Sequence, residues 1–199
     1  MSNRSEKSSP ASATALFALA FRPLFLIAAT FSIVSLLAWG LSLTGWQFAP
    51  YGGVQFWHGH EMLFGFVGAV VVGFLLTAVQ SWTGLRAVNG RPLIVLLILW
   101  LAGRVLMAIP IGPSMLTVFV DLLFFPLAAL FLFIPLLIRN QSRNYFAVLA
   151  LLLLMFCNGM SHFAVLNNET VMQSQALFSA VLLITVMMAI IGGRAIPMF

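Results

Sequence analysis

Apolar residues fall into six long runs separated by short polar or glycine-rich gaps, at about 23–44, 62–80, 92–109, 115–138, 145–163 and 174–191. A helix that crosses a bilayer needs about 20 mostly apolar residues. The pattern therefore predicts an all-α fold, a polytopic transmembrane helical bundle of six spans. The third run is the shortest and needs slight bilayer thinning or a polar cap. Pro23 and Pro92 open the first and third runs, where a missing N–H costs nothing. Pro126 lies inside the fourth and is expected to kink it, whereas Pro135 falls near that span's end. The gaps read as turns. Residues 44–57 are uncharged and rich in glycine and aromatics, Asn89-Gly90 is a turn dipeptide, and 109–114 is a tight proline and glycine connection.

Composition agrees with the pattern: of 199 residues, 62% are hydrophobic and 7% charged, with a mean hydropathy of +1.11. A soluble domain carries about 25% charged residues. The net charge of +5 raises the question of a nucleic-acid partner, and its distribution answers it. Arg4, Lys7, Arg22, Arg86, Arg91, Arg139, Arg143 and Arg194 all fall on one side of the predicted topology, and the three opposite loops hold no Lys or Arg. Positive charge marks the cytoplasmic side, so both termini are expected inside and no nucleic-acid partner is implied. Residues 1–13 read as a polar cytoplasmic tail, followed by a six-span domain over 14–199. The first apolar run exceeds the about 7–15 residues of a signal core, so it reads as a retained span. A single cysteine, Cys157, excludes an internal disulfide framework or a paired-cysteine metal motif.

Ionisable side chains at membrane depth are costly and face protein or a cavity. Here they gather in the outer half: His58, His60 and Glu61 where span two begins, Arg104 in span three, Asp121 in span four, and Asn158 with His162 in span five. Imidazole is the commonest metal-ligating side chain, which makes His58 and His60 candidate metal ligands. On a helix, residues two apart point about 200° from each other and could not share one ion; extended, they could converge. Gly59 permits either, or a helix start in which each serves a different centre. The plainer alternative is an interfacial Trp57/His cluster anchoring a helix end. Glu61, Gly65, Ala69, Gly73 and Thr77 recur every four residues, a small-residue face for close helix approach. Glu61 then points toward protein, where it either orients an imidazole, carries protons, or is simply hydrogen-bonded. Arg104 and Asp121 lie at matching depth on neighbouring spans and are expected to pair, as a registry clamp or with the arginine on an anionic group such as a haem propionate. Asn158 and His162 share a helix face. His162 is a second candidate axial or copper ligand, or a hydrogen-bonded helix-end histidine, and Cys157 reads as packing.

Several segments together resemble the NnrS family of bacterial membrane proteins. They are Phe17-Ala18-Leu19-Ala20-Phe21-Arg22-Pro23, Trp57-His58-Gly59-His60-Glu61-Met62-Leu63-Phe64-Gly65-Phe66 and Gly73-Phe74-Leu75-Leu76-Thr77-Ala78-Val79 with Trp82-Thr83-Gly84. Trp100-Leu101-Ala102-Gly103-Arg104, the Arg139-Asn140 to Arg143-Asn144 turn and Gly192-Gly193-Arg194-Ala195-Ile196-Pro197-Met198-Phe199 complete the set. The resemblance implies haem and copper as cofactors, nitric oxide as the small ligand, protection against nitrosative stress, and the bacterial cytoplasmic (inner) membrane as location. It makes His58 and His60 the first candidates for metal contact, with His162 and Arg104 as further cofactor contacts. Relatives resemble twelve-span proteins of about twice this length. The chain therefore reads as an N-terminal half: a fragment, a truncated gene product, or a half that a C-terminal half or a second copy completes.

Two other functions compete. A transporter-like half would use Glu61, Asp121 and Arg104 as a proton or substrate path, although the charges sit outward and no span reads as broken in its middle. A scaffold subunit would leave the histidines merely interfacial. No nucleophile elbow, metalloprotease motif or phosphate-binding loop is present.

Overall fold

The computed structural model describes residues 16–110 and 114–195. The expected tail at 1–13 with Arg4 and Lys7, part of the third loop, the Arg194 side chain and the end of the terminal motif lie outside that description. Six helical spans are long and apolar enough to cross a membrane, and no strand occurs among the described residues. Span one is α1 (Phe21–Leu43). Span two joins α2 (Val54–His60), a π-helical segment (Glu61–Val67) and α3 (Gly68–Thr83) into one rod. Span three is α4 (Arg91–Ala108), and span four is α5 (Met115–Leu122) with α6 (Phe124–Ile138). A 3₁₀ turn at Ser142–Asn144 leads into span five, α7 (Tyr145–Leu166), and α8 (Thr170–Ala195) is span six. The chain is a multi-pass membrane protein.

Span two is the centre of the bundle, and its small residues explain why. A Cβ on Gly73 would sit 3.0 Å from Leu24 Cβ and 3.2 Å from the Phe25 ring of α1; one on Gly68 would meet Phe125 of α6 at 2.9 Å. Thr77, on the same stripe, accepts the Phe21 N–H at 3.1 Å. The stripe thus brings α1 and α3 into direct contact. Phe64, Val72, Leu76, Leu132, Leu151 and Leu154 fill the space between spans two, four and five. Ile33, Leu37, Ile98, Phe119, Phe156 and Met188 face outward, as lipid-facing positions do. Two backbone bonds tie the loops at opposite ends. Tyr51 N–H donates to Met107 O at 3.0 Å, and Gly90 N–H donates to Phe17 O at 3.1 Å.

The start of span two and two internal irregularities depart from the hydropathy pattern. Span two begins at Val54 and not near 62, because Phe56, Trp57, His60 and Glu61 are buried against protein and need not be apolar. The fourth span is interrupted at Leu123, three residues before Pro126, whose missing N–H deprives Leu122 O of its helical partner. The interruption accords with the kink expected at Pro126 and corrects the expectation that no span breaks in its middle; the π segment is a second irregularity, within a continuous rod. Wider π turns recur at functional sites. Within it, Gly65 O accepts a hydrogen bond from Trp100 Nε1 of α4 at 3.1 Å.

If close approach at Gly73 holds α1 to α3, Gly73→Leu lowers stability by about 1–3 kcal/mol, measured as a lower melting temperature in detergent.

A buried imidazole and carboxylate cluster

The ionisable residues expected at membrane depth converge from four spans. α2 delivers His60 and the π segment Glu61, α4 delivers Arg104, α5 delivers Asp121, and α7 delivers Asn158 and His162. Each is buried, with His60, Glu61, Asn158 and His162 at 0% exposure. Asp121 lies in the two-turn helix α5, capped at its start by the Ser114 hydroxyl accepting from Leu116 N–H.

Arg104 binds both acids. Its Nη1 donates to Glu61 Oε2 at 2.5 Å and its Nη2 to Asp121 Oδ1. Two glycines make room for this bridge: a Cβ on Gly65 would lie 2.5 Å from Glu61 Oε2, and one on Gly103 would lie 3.1 Å from Asp121 Oδ1. The other carboxylate oxygen, Asp121 Oδ2, accepts from Asn158 Nδ2 at 2.7 Å and from His162 Nε2 at 3.0 Å. His60 Nε2 lies 3.4 Å from the same oxygen and 2.8 Å from Asn158 Oδ1. His162 Nδ1 meets the Tyr51 hydroxyl at 3.1 Å. Tyr51 comes from the first loop, where Gly52 and Gly53 take positive φ (70° and 85°) to turn the chain into α2. Burial in apolar surroundings pushes the Tyr51 phenol up to about 12.

This geometry sorts the sequence candidates. Helical spacing sends His58 away from the cluster, against Trp39, with ring centroids 4.4 Å apart and planes 15° apart. Its Nδ1 is buried without a partner. His58 also lines an open groove of about 470 Å³ with Gly52, Gly53, Gly59, Gln173 and Leu177. The expected pair of Arg104 and Asp121 forms, and Glu61 joins it. Both terminal guanidinium nitrogens thus engage acids of the chain itself, and Nε is buried without a partner. Cys157 packs among apolar neighbours. Tyr51 was not among the sequence candidates. Its only signal is a polar-tipped aromatic immediately before Gly52-Gly53 in the first loop.

Electrically the cluster is incomplete. Two carboxylates face one guanidinium, a formal excess of one negative charge where water does not reach, and such an excess is costly unless a cation or proton completes it. His60, Asp121 and His162 each offer a ligand atom, all within 4.8 Å of one another, a spacing that could hold a metal ion. Two imidazoles and a carboxylate suit copper, zinc or iron. A bare ion fits; a porphyrin between His60 and His162, whose ring centroids are 5.1 Å apart and fully enclosed, does not.

Fold and cluster together define a multi-pass helical membrane protein with a buried charged centre able to take a cation. The family model described as NnrS protein matches residues 15–199, and the chain belongs to the NnrS family. No curated protein and no solved structure matches the sequence.

Removing the shared guanidinium strands two buried acids. Arg104→Leu is therefore expected to cost about 3–5 kcal/mol, read as a melting temperature far below that of Arg104→Lys. A second outcome follows from Tyr51. A folded-state value near 12, above the ordinary value of about 10, means the folded chain holds the phenolic proton more tightly. Stability is complete below about pH 10 and falls as pH rises through 12, and Tyr51→Phe lacks that fall in melts across this range.

Proposed function

We propose that the protein is an inner-membrane haem and copper protein of the nitric oxide response, with its ion at His60, Asp121 and His162. The observation that carries this reading is the convergence of three donor atoms, all out of reach of water, beside two acids that share one guanidinium. A copper ion held there would supply an electrophilic centre with affinity for small neutral ligands such as nitric oxide. The chain's own contribution is to hold the donors dry, to neutralise half of the acid charge with Arg104, and to admit a gas through lipid without a polar channel. Haem falls to His58, the one histidine outside the cluster. Its Trp39 platform and its place in the wall of a groove within the about 300–1,000 Å³ usual for ligands support that assignment. His58 and His60 then serve two different centres.

Arg22, Arg86, Arg91, Arg139 and Arg143 belong to the ends of the spans opposite the cluster, which supports termini inside and the cluster near the outer face. The other half of a twelve-span protein, or a second copy, would supply any further ligand. A transporter-like role is favoured by one observation, the continuous chain Glu61–Arg104–Asp121 beside a π segment and a broken span.

Full-length protein from haem-replete expression, purified in detergent, should show a Soret band and bound copper. His60→Ala, Asp121→Asn and His162→Ala should lose the copper, and His58→Ala should weaken the Soret band while copper stays. Colourless, metal-free wild-type protein sinks the reading. Loss of uptake into vesicles in Asp121→Asn, with metal content unchanged, favours transport.

A further inference from the structure

Donors and acceptors in the cluster fix where the imidazole protons sit. Asp121 Oδ2 only accepts, so Asn158 turns its Nδ2 toward it, leaving Asn158 Oδ1 to accept from His60 Nε2. The same carboxylate oxygen accepts from His162 Nε2. Both rings therefore carry a proton on Nε2, and in the neutral form that a ligating imidazole must have, both Nδ1 atoms are bare lone pairs. His162 Nδ1 accepts from the Tyr51 hydroxyl. His60 Nδ1 accepts from nothing. It lies 3.8 Å from Glu61 Oε1, and both atoms are buried without a hydrogen-bond partner. Two acceptors thus face each other in a dry core, an arrangement that native structures rarely keep without a reason.

An ion held by two Nε2 atoms resolves it. Ligation needs the Nε2 lone pairs free, so each ring gives up one proton at Nε2 and gains one at Nδ1, with no net change in proton number. The new His60 Nδ1–H faces Glu61 Oε1. The new His162 Nδ1–H faces the Tyr51 oxygen, and a hydroxyl accepts as well as donates. We infer that Glu61 and Tyr51 are positioning residues of the metal centre, which accept the two Nδ1 protons and so hold both imidazoles with Nε2 toward the ion. This rests on reading His60, Asp121 and His162 as the ion's ligands, and it adds two residues that touch no ion themselves. Partners of this kind are typically worth about 10–100-fold in metal affinity.

Glu61→Gln makes a sharp test. Arg104 donates to one Glu61 oxygen, so a glutamine would keep its oxygen on Arg104 and turn its N–H₂ toward His60 Nδ1. That locks the ring with its proton on Nε2, the form that cannot ligate, as happens when an aspartate that orients a catalytic histidine is replaced by asparagine. The experiment titrates Cu(II) alone into the metal-stripped full chain in detergent, reading affinity and the nitrogen couplings in the electron paramagnetic resonance spectrum. Wild type is expected to show two coupled imidazole nitrogens. Glu61→Gln and Tyr51→Phe are each expected to bind about 10–100-fold more weakly and to lose one of the two couplings, while Tyr145→Phe matches wild type. Wild-type affinity and both couplings in the two variants overturn the inference and leave the metal site standing. A wild-type chain that takes up no Cu(II) overturns the metal site and the inference together. Should Glu61→Gln fail to fold, Tyr51→Phe, which leaves the Arg104 pairs intact, decides the matter by the same two readouts.

Discussion

A guanidinium with no access to water must be paired, and in this protein both of its partners come from other spans. Arg104 of span three holds Glu61 of span two and Asp121 of span four. Burying such charges is costly, and only well-made pairing and hydrogen bonding offset the cost. The bridge therefore acts as a depth lock. Between apolar helices in lipid, packing alone distinguishes one vertical register from another only weakly, since lipid is as apolar as the side chains. A guanidinium whose only acids lie at one level removes that freedom for three spans at once. The glycines at 65 and 103 belong to the same constraint, because a methyl group at either position would press on the atoms forming the bridge.

With Asp121 Oδ1 committed to Arg104, its second oxygen becomes the point where the imidazoles meet. His60, Asn158 and His162 all lie within 3.4 Å of an Asp121 or Asn158 oxygen, and none is exposed. Salt-bridge chemistry on one side of the carboxylate thus positions the other side. The two histidines of the His58-Gly59-His60 motif end in different surroundings, one enclosed among acids and amides, the other stacked on Trp39 beside an open groove.

The six spans were readable because their signal is redundant: about 20 consecutive residues each carry it. The Arg104–Asp121 pair was readable too, since a tight turn between spans three and four leaves little choice of depth. Glu61's share in that pair was not, because a four-residue repeat shows which face is small but not which neighbour meets it. The relation of His58 to His60 hung on whether Gly59 sat in helix or extended chain, and only burial of the preceding turn decided it. Tyr51 could not be found from pattern, because it reaches His162 across 111 positions of sequence through a loop with no periodicity. The π segment leaves no compositional trace.

That segment sets the angular phase of span two. Below it, Gly73 and Thr77 face α1; above it, His60 faces Asp121 and Asn158 of spans four and five. A uniform α-helix advances about 100° per residue, so its two halves have one fixed rotational relationship. Glu61–Val67 winds more loosely and supplies an offset between them. Packing seam and ligand face can then each keep the azimuth their own contacts demand, although they share a single rod. One residue more or fewer in this stretch would leave every side chain chemically intact and yet swing His60 out of the cluster.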